Sequence, residues 1–170
     1  MRQEKRRVLG IDPGTATTGY GIVEEDGNQL TAIVSGVIRT DPDQSTPARL
    51  QAIHRQIKGL AVEWQPTEAA VEELFFSRNV RTAMRVGQAR GVAILALADA
   101  GLIVSEYTPL AIKQAVTGYG SADKAQMQEM VKILLGLNEV PRPDDAADAL
   151  AVAICHLHAS RLSRLSELAQ

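Results

Sequence analysis

The chain has 170 residues, 45% hydrophobic and 22% charged, and nowhere approaches the roughly 18 consecutive apolar residues of a membrane span. This length suits a single domain, residues 1–170, that buries about 70% of the surface its unfolded form exposes. The net charge of −2 excludes a partner held by simple basic excess, and the single cysteine, Cys155, excludes an internal disulfide.

The N-terminal MRQEKRR has no apolar run ahead of the first strand, so no secretory signal is expected and the expected location is cytoplasmic. Arg7 to Gly14 (RVLGIDPG) then reads as a buried strand that ends in a carboxylate, Asp12, at a Pro-Gly turn. Thr17 to Val23 returns beside it, Asp26-Gly27 signals a hairpin, and Gln29 to Arg39 supplies a third strand. Thr46 followed by Pro47 predicts a helix start, and Leu50, Ile53, Ile57, Leu60 and Trp64 recur at helical spacing up to Pro66.

Glu68 to Glu72 (EAAVE) is expected as a short fourth strand, followed by a helix from about Val80 to Ala100 capped by Gly101. Ala83, Gly87 and Gly91 share one face of that helix and would let another backbone approach. Leu102 to Tyr107 gives a fifth strand, and Pro109 starts a short helix reaching Val116. A helix from about Ala122 to Leu135, with Ser121 as its cap, and a last one from Asp144 to about Leu162 complete the chain. Three meander strands followed by helices alternating with two more strands predict an α/β fold, a five-stranded mixed sheet flanked by helices on both faces.

The acids carry the chemistry. Glu72 and Glu73 end the fourth strand, and strand alternation points only one of them at the site; Glu72 is the one expected there, with Val71 on the opposite, core-facing side. In DDAADALAVAICH, Asp144 and Asp145 can cap a helix, but Asp148 lies beyond the first turn and interrupts a buried-looking apolar run. Burying an unpaired carboxylate costs several kcal/mol, so a paired or metal-bound state is expected. Asp145 and Asp148 are neighbours on one helix face.

Asp12, Glu72, Asp145 and Asp148 together are hard oxygen ligands without clustered cysteine or histidine, which points to Mg²⁺, or Mn²⁺, and away from zinc. The implied chemistry is phosphodiester hydrolysis with two ions about 4 Å apart. Two bound divalent ions would also turn the net charge positive. His54, His156 and His158 are expected in structural or surface roles, and Cys155 in the core.

Phe75 and Phe76 sit before Ser77, Arg78, Asn79 and Arg81, an aromatic-basic cluster able to stack on an unpaired base. Arg81 and Arg85, four apart on a helix, can line a phosphate groove, and Lys113 and Lys124 are further candidates. A lysine in a first helical turn is disfavoured by the dipole and justified by a phosphate.

With these residues assembled, the sequence resembles the RuvC family of Holliday junction resolvases on the RNase H-like fold. The stretches that carry the likeness run from GIDPGTATTGYGIV through VEELFF, GQARG and IKQAVTGYGSADK to DAADALAVAICH. The resemblance implies Asp12, Glu72, Asp145 and Asp148 as metal ligands, Phe75 as the residue inserted at the junction, and Lys113 and Lys124 as phosphate contacts. It further implies a homodimer that nicks a four-way DNA junction symmetrically, in recombination and repair, with a branch-migration helicase complex as partner. The helix carrying Gly87 and Gly91 is the expected dimer interface. Asp144 and Glu73 leave the side-by-side assignments open. A catalytically inactive junction-binding scaffold is the alternative from another class. GIDPGT also resembles the first phosphate loop of actin-like ATPases, but those need a second similar lobe, for which 170 residues leave no room.

Overall fold

The structure, a computed structural model, describes residues 5–73 and 79–168. Five strands form one sheet: β1 (Arg6–Asp12), β2 (Thr17–Asp26), β3 (Gln29–Arg39), β4 (Glu68–Glu72) and β5 (Ile103–Tyr107). Their order is β3-β2-β1-β4-β5, with β2 antiparallel to both β1 and β3, and β4 parallel to both β1 and β5. Five helices accompany them: α1 (Thr46–Trp64), α2 (Val80–Asp99), α3 (Pro109–Thr117), α4 (Lys124–Leu134) and α5 (Asp144–Leu168).

Alternation along the strands divides the core in two. Leu9, Ile11, Ile22, Ala69 and Val71 face one way and pack with Ile53 and Ile57 of α1 and Ala93 and Leu97 of α2. Val8, Val23 and Ala70 face the other way and meet Ile112 and Val116 of α3, Val131 of α4 and the long buried run of α5. From Ala146 to Leu157 all but Asp148 of that helix is buried, which explains a sequence apolar all round and lacking a polar stripe. Gly10 makes the close packing possible, because a Cβ there would meet the Ala149 carbonyl of α5.

Several expected boundaries shift, each for a local reason. Ser45, not Thr46, caps α1: its side chain accepts from the Ala48 amide at 3.4 Å, so Thr46 and Pro47 are already inside the helix. Ser121 does not cap α4. Asp123 does, in a reciprocal capping box with Gln126, and the helix therefore begins at Lys124. The hairpin turn is Gly27-Asn28, with Gly27 at φ 62°, since Asp26 still pairs with Gln29. Ala100 caps α2, and Gly101, one residue later, adopts the left-handed conformation at φ 79°. A Cβ on Gly91 would meet nothing within 4 Å among the described residues.

Candidate active site

β1 and β4 run parallel and adjacent, so their last residues, Asp12 and Glu72, leave the sheet together at its carboxyl edge. Asp12 pairs with Gly19 across the antiparallel ladder to β2. Gly19 admits the third element. A Cβ there would collide with the Asp145 carbonyl, so the missing side chain lets the first turn of α5 lie on the strand beside Asp12. Carboxylate oxygens of Asp12, Asp145 and Asp148 consequently lie within 4.8 Å of one another. Glu72 stands outside that group of three but beside Asp12, close enough for the two carboxyls to perturb one another.

Four acids held this close cannot all be charged without compensation. Burial, then Glu72, Asp148 and Asp145, pushes the Asp12 carboxyl up to about 8, so in the metal-free protein it keeps its proton at neutral pH and shares it with Glu72. Burial also raises Glu72 and Asp148, with Asp148 charge adding to the first and Asp145 and Asp144 charge to the second; Lys113 pulls Glu72 back, and Lys124 pulls Asp148 back. The Lys124 ammonium lies 3.2 Å from Asp144 and 3.7 Å from Asp148, and Arg142 holds the other oxygen of Asp144 at 2.5 Å.

Glu72 and Asp148 line a cleft of about 220 Å³ together with Lys113, Lys124 and apolar side chains of α3, α4 and α5. Lys113 projects from α3 and Lys124 is the first residue of α4, so the two cations flank the acids on one side. Arg81 and Arg85 are exposed on the first turns of α2 and do not line this cleft. The Arg85 carbonyl accepts a hydrogen bond from the Thr15 hydroxyl at 2.8 Å, which ties that part of α2 to the turn following Asp12. Phe75 and Arg78 lie outside the described residues. Asp144 stands at the rim in ion pairs, and Glu73 donates its amide to the Tyr107 carbonyl at 2.8 Å.

The donor set fits a hard divalent cation. It is made only of carboxylate oxygens, the donors such ions take, gathered within 4.8 Å of one another. The three histidines are engaged elsewhere: His54 with Asp99 at 3.0 Å, His158 with the Ala115 carbonyl at 2.9 Å, and His156 with Tyr107 and Glu68. Sequence reasoning missed Gly19: the sequence shows Gly19 and Gly21 on one face of a strand, but not the helix that covers them.

The family model described as crossover junction endodeoxyribonuclease RuvC matches residues 8–156, nearly all of this framework. The chain belongs to the RuvC family. It is 59% identical over 152 residues to a crossover junction endodeoxyribonuclease RuvC of Chloroflexus aggregans, covering 89% of this chain and 93% of that one. To the RuvC of Syntrophomonas wolfei it is 54% identical over 161 residues, covering 95% and 94%. Thermus thermophilus RuvC in complex with a Holliday junction substrate superimposes with a TM-score of 0.88 at 36% identity, over 93% of this chain and 96% of that one. The mixed sheet with helices on both faces is therefore the RNase H-like fold of the RuvC resolvases.

Proposed function

We propose that the protein is a divalent-metal-dependent endonuclease that resolves Holliday junctions by paired, symmetric nicks in DNA recombination and repair in the cytoplasm. The observation that carries this reading is the gathering of Asp12, Asp145 and Asp148 within 4.8 Å, with Glu72 beside Asp12, in a chain 54–59% identical to crossover junction endodeoxyribonucleases. These four acids are the metal ligands and catalytic residues of the proposal, with Mg²⁺ as the expected ion and Mn²⁺ as its substitute. Such ions supply activation of a water and stabilisation of the leaving 3′ oxygen of a phosphodiester.

The chain's own residues bind and orient. Lys113 and Lys124 present ammonium groups beside the acids, where a scissile phosphate would sit between the two sets of charge. Lys124 holds Asp144 and Asp148 in the free protein, and its 58% exposure leaves it open to an approaching phosphate. Arg81 and Arg85 on α2 extend phosphate contact past the turn after Asp12, and Phe75 and Arg78 complete the DNA-binding set. A two-fold symmetric junction is matched by a two-fold dimer. Val80, Met84 and Leu95 are large, exposed apolar residues on α2, the helix with the open Gly91, and they mark the dimer face. A branch-migration helicase complex is the further partner of this reading.

A labelled four-way junction with symmetric arms, incubated with and without Mg²⁺, tests it. Wild type cuts only with the ion, at symmetric positions, and Asp12→Asn binds the junction without cutting it. Undiminished cutting by that variant, or binding without cutting by wild type in Mg²⁺ and in Mn²⁺, would overturn the proposal, the second result in favour of a scaffold.

A further inference from the structure

On the same face of the sheet, farther along α5 from the acids, lies a second polar group. The His156 ring is 5% exposed and both nitrogens are bonded, Nδ1 with the Tyr107 hydroxyl at 2.9 Å and Nε2 with Glu68 at 2.7 Å. Arg6 donates to both oxygens of Glu68 at 2.8 Å, and also to Glu25 at 3.2 Å and to the Ser160 hydroxyl at 2.9 Å. As a carboxylate, Glu68 only accepts, so Nε2 carries a proton and donates to it, while the bond between Nδ1 and the Tyr107 hydroxyl holds the other side of the ring. A ring committed at both ends has a fixed position along its helix.

The elements involved are the ones that build the acid cluster. β1 carries Arg6 and Asp12, β4 carries Glu68 and Glu72, and α5 carries His156 with Asp145 and Asp148. Tyr107 ends β5 opposite Glu72 and leads directly into Thr108, the cap of the helix bearing Lys113. The spacings also agree. Glu68 lies four strand residues before Glu72, about 13 Å, and His156 lies eight helical residues after Asp148, about 12 Å. Since α5 descends as β4 rises, contacts at both ends specify one register.

The apolar contacts of α5 work toward the same register: Leu150, Val152, Ile154 and Leu157 are buried among Ala146, Ala147, Ala149, Ala151 and Ala153, and Leu150 seats against Gly21, so the polar network adds a directional tie to a packed helix. A slip of one residue, about 1.5 Å, would break the His156–Glu68 bond and carry both aspartates away from Asp12.

We infer that Arg6, Glu68, His156 and Tyr107 form a positioning network that sets the height of α5 against β1 and β4, and thereby the separation of Asp145 and Asp148 from Asp12 and Glu72. The inference rests on the proposed metal-dependent site. It is tested on the full chain with His156→Ala, His156→Gln and, as a control in the opposite core, Ile57→Ala. Three quantities are measured well below every melting temperature: Mn²⁺ affinity, and kcat and KM for junction cutting.

His156→Ala lowers Mn²⁺ affinity and kcat by about 10- to 100-fold with KM unchanged. His156→Gln, whose amide can donate to Glu68 and accept from Tyr107, recovers most of both. Ile57→Ala melts lower but keeps both. Wild-type Mn²⁺ affinity in His156→Ala, or an equal loss in Ile57→Ala, overturns the inference. If His156→Ala weakens Mn²⁺ binding while wild type cuts no junction, the functional reading falls and the positioning role stands. A wild type that binds no Mn²⁺ overturns both.

Discussion

Replacing Asp12 by asparagine should stabilise the metal-free protein and remove its response to Mg²⁺. At 4.8 Å, the outer limit of separation among Asp12, Asp145 and Asp148, two carboxylates repel by about 3.5 kcal/mol at an effective dielectric constant near 20. The wild type avoids that repulsion by keeping Asp12 protonated up to about 8, and the asparagine side chain of the variant would imitate the protonated form by donating its amide to Glu72. Because the folded pKa lies above the unfolded 3.8, the stability contributed by the protonated form is complete below about pH 3.8 and is lost as the pH rises through about 8. The loss is at most ~1.4 kcal/mol per pH unit, or ~4 kcal/mol by pH 7 as an upper bound. With about 2 to 4 °C of melting temperature per kcal/mol for a chain of this size, the variant should melt several degrees above wild type at pH 7 in chelator. That gap should widen from pH 5 to pH 8 and then level off. With millimolar Mg²⁺ the order narrows or reverses, since wild type gains ligand stabilisation and the variant gains little. Calorimetric melts in chelator that coincide for the two proteins across pH 5 to 8.5 would refute the reasoning.

Three further outcomes are expected. Lys124→Met should lower junction affinity and reduce the slope of log K against log salt by about 0.9, one phosphate contact fewer, with little change in melting since its ion pairs are exposed; an unchanged slope would remove Lys124 from the DNA contacts. Gly19→Ala drives a methyl into the Asp145 carbonyl and should cost about 1 to 3 kcal/mol by denaturant unfolding while weakening Mn²⁺ binding. Burial pushes the Glu68 carboxyl up, but Arg6 and His156 outweigh it and hold it below its usual 4.5. Its stabilisation is therefore present above pH 4.5 and lost as pH falls through the lowered value. Glu68→Gln should cost about 1 to 3 kcal/mol at pH 7, with the difference from wild type closing below pH 4.5.

Local chemistry made much of this readable. Val8 to Asp12, the Pro109 start and the Gln29 to Arg39 strand carry their own period or punctuation, and the structure keeps them. Asp148 was legible as an anomaly, a carboxylate in a helix otherwise buried. The cap errors at Thr46 and Ser121 have one cause, since polar residues close together each satisfy a capping pattern and only the backbone turn selects between them. The roles of Gly10 and Gly19 were not legible, because a glycine's use as a gap depends on which helix covers it, and that is a property of topology. Glu68 and His156 stand 88 residues apart, and nothing local to either announces the other.

Net charge misleads for a related reason. At −2 the chain should repel a polyanion, yet Asp12, Glu72, Asp144, Asp145 and Asp148 are concentrated at one end of the sheet, and Glu24, Glu25 and Glu68 are spent on Arg6 and Arg7 at the other end of β1. Within a Debye length of about 8 Å, a phosphate entering the cleft meets Lys113 and Lys124 and an acid group whose charge is already reduced by the proton on Asp12. Divalent ions would complete that reversal, so the same carboxylates that make the whole chain acidic would make its cleft attractive to DNA. Junction binding should therefore strengthen with Mg²⁺ in a variant that keeps all four acids, and should lose that dependence when Asp12 or Asp148 is neutralised.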